Sequence, residues 1–291
     1  MPRLLAAEAR SLMSRYGLRA RKGLGQHFLV DKRVLHRVVS AAELSPEDTV
    51  IEVGPGLGVL TRALAKRAAK VIAVEADGRL ASALSEVMST ADNVSIIESD
   101  ILQTDPASLL DSAGVGPGLP RYKVVANIPY YITSPILRHF LEASLKPSMM
   151  ILMVQKEVGE AITAQPGAMS LLAVSVQFYG KPTIVGHVPA RSFYPPPKVD
   201  SVILRVKPYE EPPIEVSQSS KFFAVVRAGF RAPRKQLRNS LAQGLEIPPP
   251  QAAILLERAS IDPRRRAETL DLQEWARLSE ERHRNEAEVG G

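Results

Sequence analysis

Cysteine is absent from this 291-residue chain, which excludes a disulfide framework, a thiolate metal site and a cysteine nucleophile. The absence suits a reducing compartment, and a cytoplasmic location is expected. Long hydrophobic runs are missing too. The longest purely apolar stretch, Met149 to Val154, is far short of the roughly 20 residues that a helix needs to cross a bilayer, so no membrane span is expected. Histidine is scarce, with five in the chain. His36, His139 and His187 have no ligand spacing, and no metal is expected. The length suffices for one large α/β domain, or one such domain plus a small one, without covalent staples.

Charge is present in a specific distribution. The formal net charge is +6, but Met1 to Arg37 carries +7 and Lys221 to Arg238 carries a further +6 with no acidic residue, which leaves the remainder near −7. Two basic patches on an acidic body suggest a polyanion footprint. Solvated helix faces are the plainer account of each patch. The Arg-rich, partly amphipathic stretch Met1 to Arg21 has some character of an organellar transit peptide, but Glu8 interrupts it, and an RNA-facing helix explains the arginines equally well.

The apolar pattern alternates between strand and helix along most of the chain. A helix is expected from Asp31 to Leu44, then a buried strand from Thr49 to Val53, a glycine-rich loop, a helix from about Leu60 to Ala69, and a strand from Lys70 to Val74. Further strands are expected at Val94 to Glu98, Tyr122 to Ala126, Met149 to Val154 and Leu171 to Tyr179. Helices are expected from Asp77 to Ser89 and from Ser134-Pro135 to about Ser144, with a helix and loop around Lys156 to Gly167. Such alternation implies a mostly parallel, doubly wound sheet with ligands at the carboxyl ends of its strands. After about Pro208 the character changes. Glu210-Glu211-Pro212-Pro213 reads as a linker, followed by helical periodicity and a disordered end from about His283. The expected organisation is therefore an α/β domain over 1–208 with a basic amino-terminal segment, a small all-helical domain over 209–282, and a tail over 283–291.

Two motifs carry chemistry. Glu52-x-Gly54-x-Gly56-x-Gly58 lies where a strand meets a helix, so its glycines let the backbone approach a ligand closely at the helix N-terminus. Glu75 ends the next strand, where a carboxylate can accept both hydroxyls of a ribose. These features fit a dinucleotide and S-adenosylmethionine alike, and the glycine run by itself also fits a tight turn. Asp100, after the third strand, is placed to accept from an adenine amino group, although a turn cap explains it as well. The second motif is Asn127-Ile128-Pro129-Tyr130. The amino nitrogen of adenine is a poor nucleophile because its lone pair is delocalised into the ring. Asn127 offers a side-chain acceptor, Pro129 biases Ile128 towards an extended conformation that turns its carbonyl out, and Tyr130 offers a flat face. An ordinary strand followed by a proline turn would share these residues.

With those motifs, the chain resembles the ribosomal RNA adenine N6-dimethyltransferases, and within them the bacterial enzymes acting on the small subunit. The resemblance runs from about Lys22 to Leu241 and rests on motifs in order: Gly25-Gln26-His27-Phe28-Leu29, the glycine loop, Glu75, Asp100, Asn127 to Tyr130, Phe193-Tyr194-Pro195-Pro196-Pro197-Lys198-Val199-Asp200-Ser201, and Arg234 to Leu241. It implies a Rossmann-like S-adenosylmethionine-dependent methyltransferase sheet with a small all-helical C-terminal domain. It further implies that His27, Leu29, Gly54, Gly56, Glu75, Asp100 and Asn127 bind the cofactor, with His27 standing where many relatives have Asn. The target adenine is expected in a pocket of Asn127, Ile128, Pro129 and Tyr130, with Phe193 on the opposite face. RNA contacts are expected from Arg21, Lys22, Arg231, Arg234, Lys235 and Arg238.

The expected reaction is methylation of two adjacent adenines near the 3′ end of small-subunit (16S) ribosomal RNA, giving N6,N6-dimethyladenine during subunit biogenesis, by a monomer. The alternatives are a large-subunit methyltransferase of the macrolide-resistance type, a protein acting mainly as a ribosome-assembly factor, and an NAD-linked oxidoreductase resting on the glycine loop alone.

Overall fold

A computed structural model describes residues 3–17, 26–116 and 122–290; Arg21 and Lys22 lie outside them. Along the chain the elements are α1 (Arg3–Arg15), β1 (Phe28–Leu29), α2 (Lys32–Ala41), β2 (Thr49–Val53), α3 (Val59–Ala65), β3 (Lys70–Glu75), α4 (Gly78–Val87), β4 (Val94–Glu98), α5 (Pro106–Ser112), β5 (Tyr122–Asn127), α6 (Thr133–Leu141), β6 (Met149–Gln155), α7 (Lys156–Ile162), α8 (Leu171–Tyr179), β7 (Gly180–Val188), β8 (Phe193–Tyr194), β9 (Ser201–Pro208), α9 (Ser219–Gly229), α10 (Leu237–Leu245), α11 (Pro249–Arg258) and α12 (Leu272–Gly290).

The chain divides into two compact units, Met1–Gly159 with Pro182–Pro208, and Glu160–Lys181 with Tyr209–Gly291. The first is built on a seven-stranded sheet in the order β4-β3-β2-β5-β6-β9-β7. Strands β4 to β6 run parallel, and β9 is antiparallel to β6. Every residue of β2 is buried, as expected of a parallel strand covered on both faces. The strand order reverses at β2, which pairs with β3 on one side and β5 on the other. A crevice therefore opens at the carboxyl ends of β2 and β5, the usual ligand position in such sheets. The aspartates Asp31 and Asp77 start α2 and α4, Asp31 accepting from the Arg33 and Val34 N–H groups and Asp77 from the Arg79 N–H, as N-caps do.

Three expectations are corrected. Leu171 to Tyr179 is a helix, not a strand. A short continuous apolar run fits a buried strand or a buried helix equally well, and here Ser170 caps the segment by accepting from the Ala173 N–H at 3.1 Å. The edge of the sheet is instead completed by β7 and β9, which were not among the expected strands. The boundary at residue 208 is also too simple, because 160–181 belongs with the helical unit. There Phe178 stacks on Phe222 at 4.9 Å and meets Phe223 edge-on at 5.1 Å, which ties α8 into the aromatic core of that unit. Finally, the tail expected to be disordered from His283 continues as helix to Gly290. An Arg284–Glu281 pair at 2.9 Å lies one turn apart on it, the spacing at which opposite charges support a helix.

Candidate cofactor and target site

A cavity of about 340 Å³ opens over the carboxyl ends of β2, β3 and β5, within the range of small-molecule sites. Its floor is the glycine loop. Gly54, Gly56 and Gly58 all have positive φ, at 64°, 55° and 75°, conformations that cost an L-residue about 1–2 kcal/mol. At Gly56 there is a second reason for glycine, because an added Cβ would come within 2.9 Å of the Phe28 ring. The loop is thus a cradle closed from above by β1.

Two acidic side chains line this cavity from below. Glu75, 7% exposed, accepts from the Gly56 N–H at 3.2 Å and from the Asp77 N–H at 3.0 Å. Burial raises its pKa, and those two N–H donors offset part of the rise. Glu52 is 1% exposed, and burial pushes its carboxyl up to about 8, with the Glu75 charge adding to the shift and neighbouring Thr61 opposing it. Its Oε2 and the Thr61 hydroxyl are both buried without a closed hydrogen bond. A buried polar atom left unpaired is costly, so Glu52 has hydrogen-bonding capacity left for a polar group entering the cavity. In the sequence Glu52 stands within the glycine motif with no role assigned to it. On the far side Asp100 accepts from the Leu102 N–H through Oδ1 at 3.0 Å, starting a 3₁₀ turn over Ile101–Gln103. Capping and ligand binding are compatible here, because the carboxylate has a second oxygen.

The strand β5 delivers Asn127, in register with Met153 of β6. Asn127 Nδ2 donates to the main-chain carbonyl of His27 at 2.7 Å, which leaves the side-chain oxygen as its acceptor. The Ile128 side chain is 2% exposed, and among the described residues no hydrogen bond engages its carbonyl. Tyr130 is fixed at both ends: its hydroxyl pairs with Ser201 Oγ at 2.7 Å, and its ring stacks on His27 at 5.8 Å with 28° between planes.

The segment 27–31 is strapped across this site. Phe28 and Leu29 pair with Tyr194 and Phe193 in an antiparallel two-stranded sheet. Val30 N–H donates to the Ser192 carbonyl at 2.9 Å, and Ser192 Oγ donates to Asp31 at 3.1 Å. His27 Nδ1 lies 2.7 Å from the Pro195 carbonyl oxygen. Its side chain therefore clips the strap to the loop after β8.

Of the sequence-predicted residues, the cavity brings together His27, Leu29, Gly54, Gly56, Glu75, Asp100, Asn127, Ile128, Pro129 and Tyr130. Phe193 is set apart. It is 3% exposed and packs in a core cluster with Leu29, Val34 and Ile203, and it does not line the cavity. Successive strand residues point to opposite faces, and in β8 the register turns Phe193 inward while Tyr194 lies under the Arg10 guanidinium at 5.8 Å. Arg231, Arg234 and Lys235 are exposed between α9 and α10, and Arg238 is exposed in the first turn of α10, in the other unit. No group of potential metal ligands occurs among the described residues.

Comparison with known proteins supplies the assignment. The family described as ribosomal RNA adenine dimethylase matches residues 17–283. The chain belongs to the ribosomal RNA adenine dimethylase family. Its relatives in that family include the ribosomal RNA small subunit methyltransferase A of Dehalococcoides mccartyi, 53% identical over 94% of this chain and 92% of the relative. The protein of the same name from Moorella thermoacetica is 45% identical over 92% and 94%. Among solved structures, a dimethyladenosine transferase from Plasmodium falciparum has a TM-score of 0.74 at 27% identity, covering 89% of this chain and 98% of that one. The 23S rRNA methyltransferase ErmE has a TM-score of 0.68 at 31% identity, covering 87% and 98%. The oxidoreductase alternative, which rested on the glycine loop alone, gives way to this membership.

Proposed function

We propose that this dimethylase transfers methyl groups from S-adenosylmethionine to N6 of two adjacent adenines near the 3′ end of small-subunit (16S) ribosomal RNA, and that it acts as a monomer in the cytoplasm during subunit biogenesis. The observation that carries the reading is a single cavity that joins a ribose-accepting carboxylate, Glu75, to the Asn127-Ile128-Pro129-Tyr130 clamp. The small-subunit assignment draws support from the relatives named for that subunit, at 53% and 45% identity, against 31% for ErmE.

The residues present fit the cofactor. Glu75 holds a carboxylate at the end of β3 for the ribose hydroxyls. Asp100 has an oxygen for the adenine amino group. The Gly54 to Gly58 backbone and the unpaired Glu52 oxygen suit the amino-acid end, with the strap from His27 to Leu29 above. When bound, S-adenosylmethionine supplies an electrophilic methyl on a sulfonium. The target adenine swings out of its stack at a cost of a few kcal/mol. One face of Tyr130 is covered by His27, which leaves the other for the adenine ring. Asn127 Oδ1 and the Ile128 carbonyl accept from the amino group and hold its nitrogen in line for displacement. The N-alkylated product loses its proton readily, so positioning and charge stabilisation supply most of the rate without a strong general base. Arg231, Arg234, Lys235 and Arg238 grip the RNA backbone from the helical unit.

Incubation with labelled methyl donor and separate undermethylated small and large ribosomal subunits tests this reading. Label confined to small-subunit adenines is expected, and label on large-subunit RNA would assign the macrolide-resistance type of activity instead.

A further inference from the structure

We propose that Tyr131 is a stacking platform for the nucleotide that flanks the adenine held in the pocket. The inference rests on the RNA-adenine reading above. Residues Tyr130–Ile132 form one turn of 3₁₀ helix, in which successive side chains are about 120° apart. That turn sends two neighbouring tyrosines in different directions. Tyr130 is half-buried, its hydroxyl on Ser201 and its ring on His27. Tyr131 is 62% exposed, yet it lines the same cavity. Among the described residues it makes no hydrogen bond and no ring contact, and it is more exposed than any other large hydrophobic side chain there.

The placement has a chemical reading. Extruding one base from an RNA strand leaves its neighbour without a stacking partner on that side. An aromatic ring at the mouth of the pocket replaces the missing partner, and such stacking tolerates any base because every base has a π-face. A tyrosine suits the position because its hydroxyl keeps an exposed ring compatible with water. With two adjacent adenines as targets, whichever adenine is not in the pocket can lie at the mouth. Tyr131 is then a positioning residue that acts on RNA binding and not on the methyl transfer itself.

Tyr131→Phe, Tyr131→Leu and Tyr131→Ala test the assignment, with undermethylated small subunits and S-adenosylmethionine. Tyr131→Phe is expected to match the wild type. Tyr131→Ala and Tyr131→Leu are expected to raise KM for the subunit roughly tenfold, the scale of one base–aromatic stack, with kcat nearly unchanged and S-adenosylmethionine affinity intact. A rise in KM at constant kcat marks weakened binding with the chemistry preserved. A Tyr131→Ala enzyme with wild-type KM would overturn the role. So would Tyr131→Leu behaving like Tyr131→Phe, because apolar packing would then suffice, or a parallel loss of cofactor affinity, which would make the residue structural. A wild-type protein that leaves small-subunit adenines unmethylated would overturn the underlying reading along with this role.

Discussion

Asn127 has two partners to satisfy, and the two ends of its amide divide the work. Nδ2 donates to the His27 carbonyl, which leaves the oxygen as the acceptor that the proposed reaction assigns to the target amino group. Asn127→Ala is expected to abolish methyl transfer while leaving S-adenosylmethionine affinity within about tenfold, since the other cofactor-binding groups persist. Turnover near the wild-type rate, measured with small subunits, would contradict the role. Glu52 provides a pH prediction. Its ordinary value is 4.5, and burial pushes it up to about 8. Between those values the folded protein retains a proton that the unfolded chain has released, so stability falls as pH rises through that window and levels off above it. Glu52→Gln, measured by urea midpoints from about pH 5 to about pH 9, is expected to flatten that fall; an unchanged slope would show that Glu52 is not its source. Asn127, Glu75 and Asp100 were legible in the sequence because each stands in a motif at the end of a strand. The orphaned Glu52 oxygen was not, because burial and missing partners are tertiary facts. That Phe193 packs in the core and not on the cavity was hidden for a related reason: in a two-residue strand, the phase of the alternation cannot be read from the sequence.

At the scale of elements, the glycine loop and the strap above it form one device. Gly56 has φ of 55° and the Phe28 ring against it. Gly56→Ala therefore meets backbone strain and an approach of 2.9 Å together, and the expected result is a drop in S-adenosylmethionine affinity of at least about tenfold. Calorimetric titration checks this, and unchanged affinity would show that the loop does not cradle the cofactor. The strands β2 to β6 could be read from their apolar runs, bounded by turn residues. The helix α8 could not be separated from a strand by composition, because its apolar residues face the core almost continuously. Its Ser170 cap was the available signal. The strap β1–β8 joins residues far apart in sequence, with Leu29 paired to Phe193 and Phe28 to Tyr194. No local pattern announces such a pairing, and only the motif resemblance placed His27 and Leu29 at the cofactor.

At the scale of the whole molecule, one of the two basic stretches of the sequence falls in each unit. The first unit holds the cavity, and the second carries Arg231, Arg234, Lys235 and Arg238, exposed between α9 and the first turn of α10. Charge reversal at Arg234, Lys235 and Arg238 is expected to weaken RNA binding and to lower the slope of log affinity against log salt, by about 0.7–0.9 for each phosphate no longer neutralised. Equilibrium binding to small subunits at several salt concentrations measures the slope, and an unchanged slope would remove the patch from the interface. The basic run from Lys221 to Arg238 was plain in the sequence, but the exposure of Arg231, Arg234, Lys235 and Arg238 came only from the fold. The central claim, that one cavity methylates adenine N6 in small-subunit RNA, is tested most directly by mapping the bases labelled when undermethylated small subunits meet labelled S-adenosylmethionine. The wild type is predicted to give N6,N6-dimethyladenine at two adjacent positions near the 3′ end, and Asn127→Ala to give none. Label on any other base or atom, or undiminished label with Asn127→Ala, would contradict that claim.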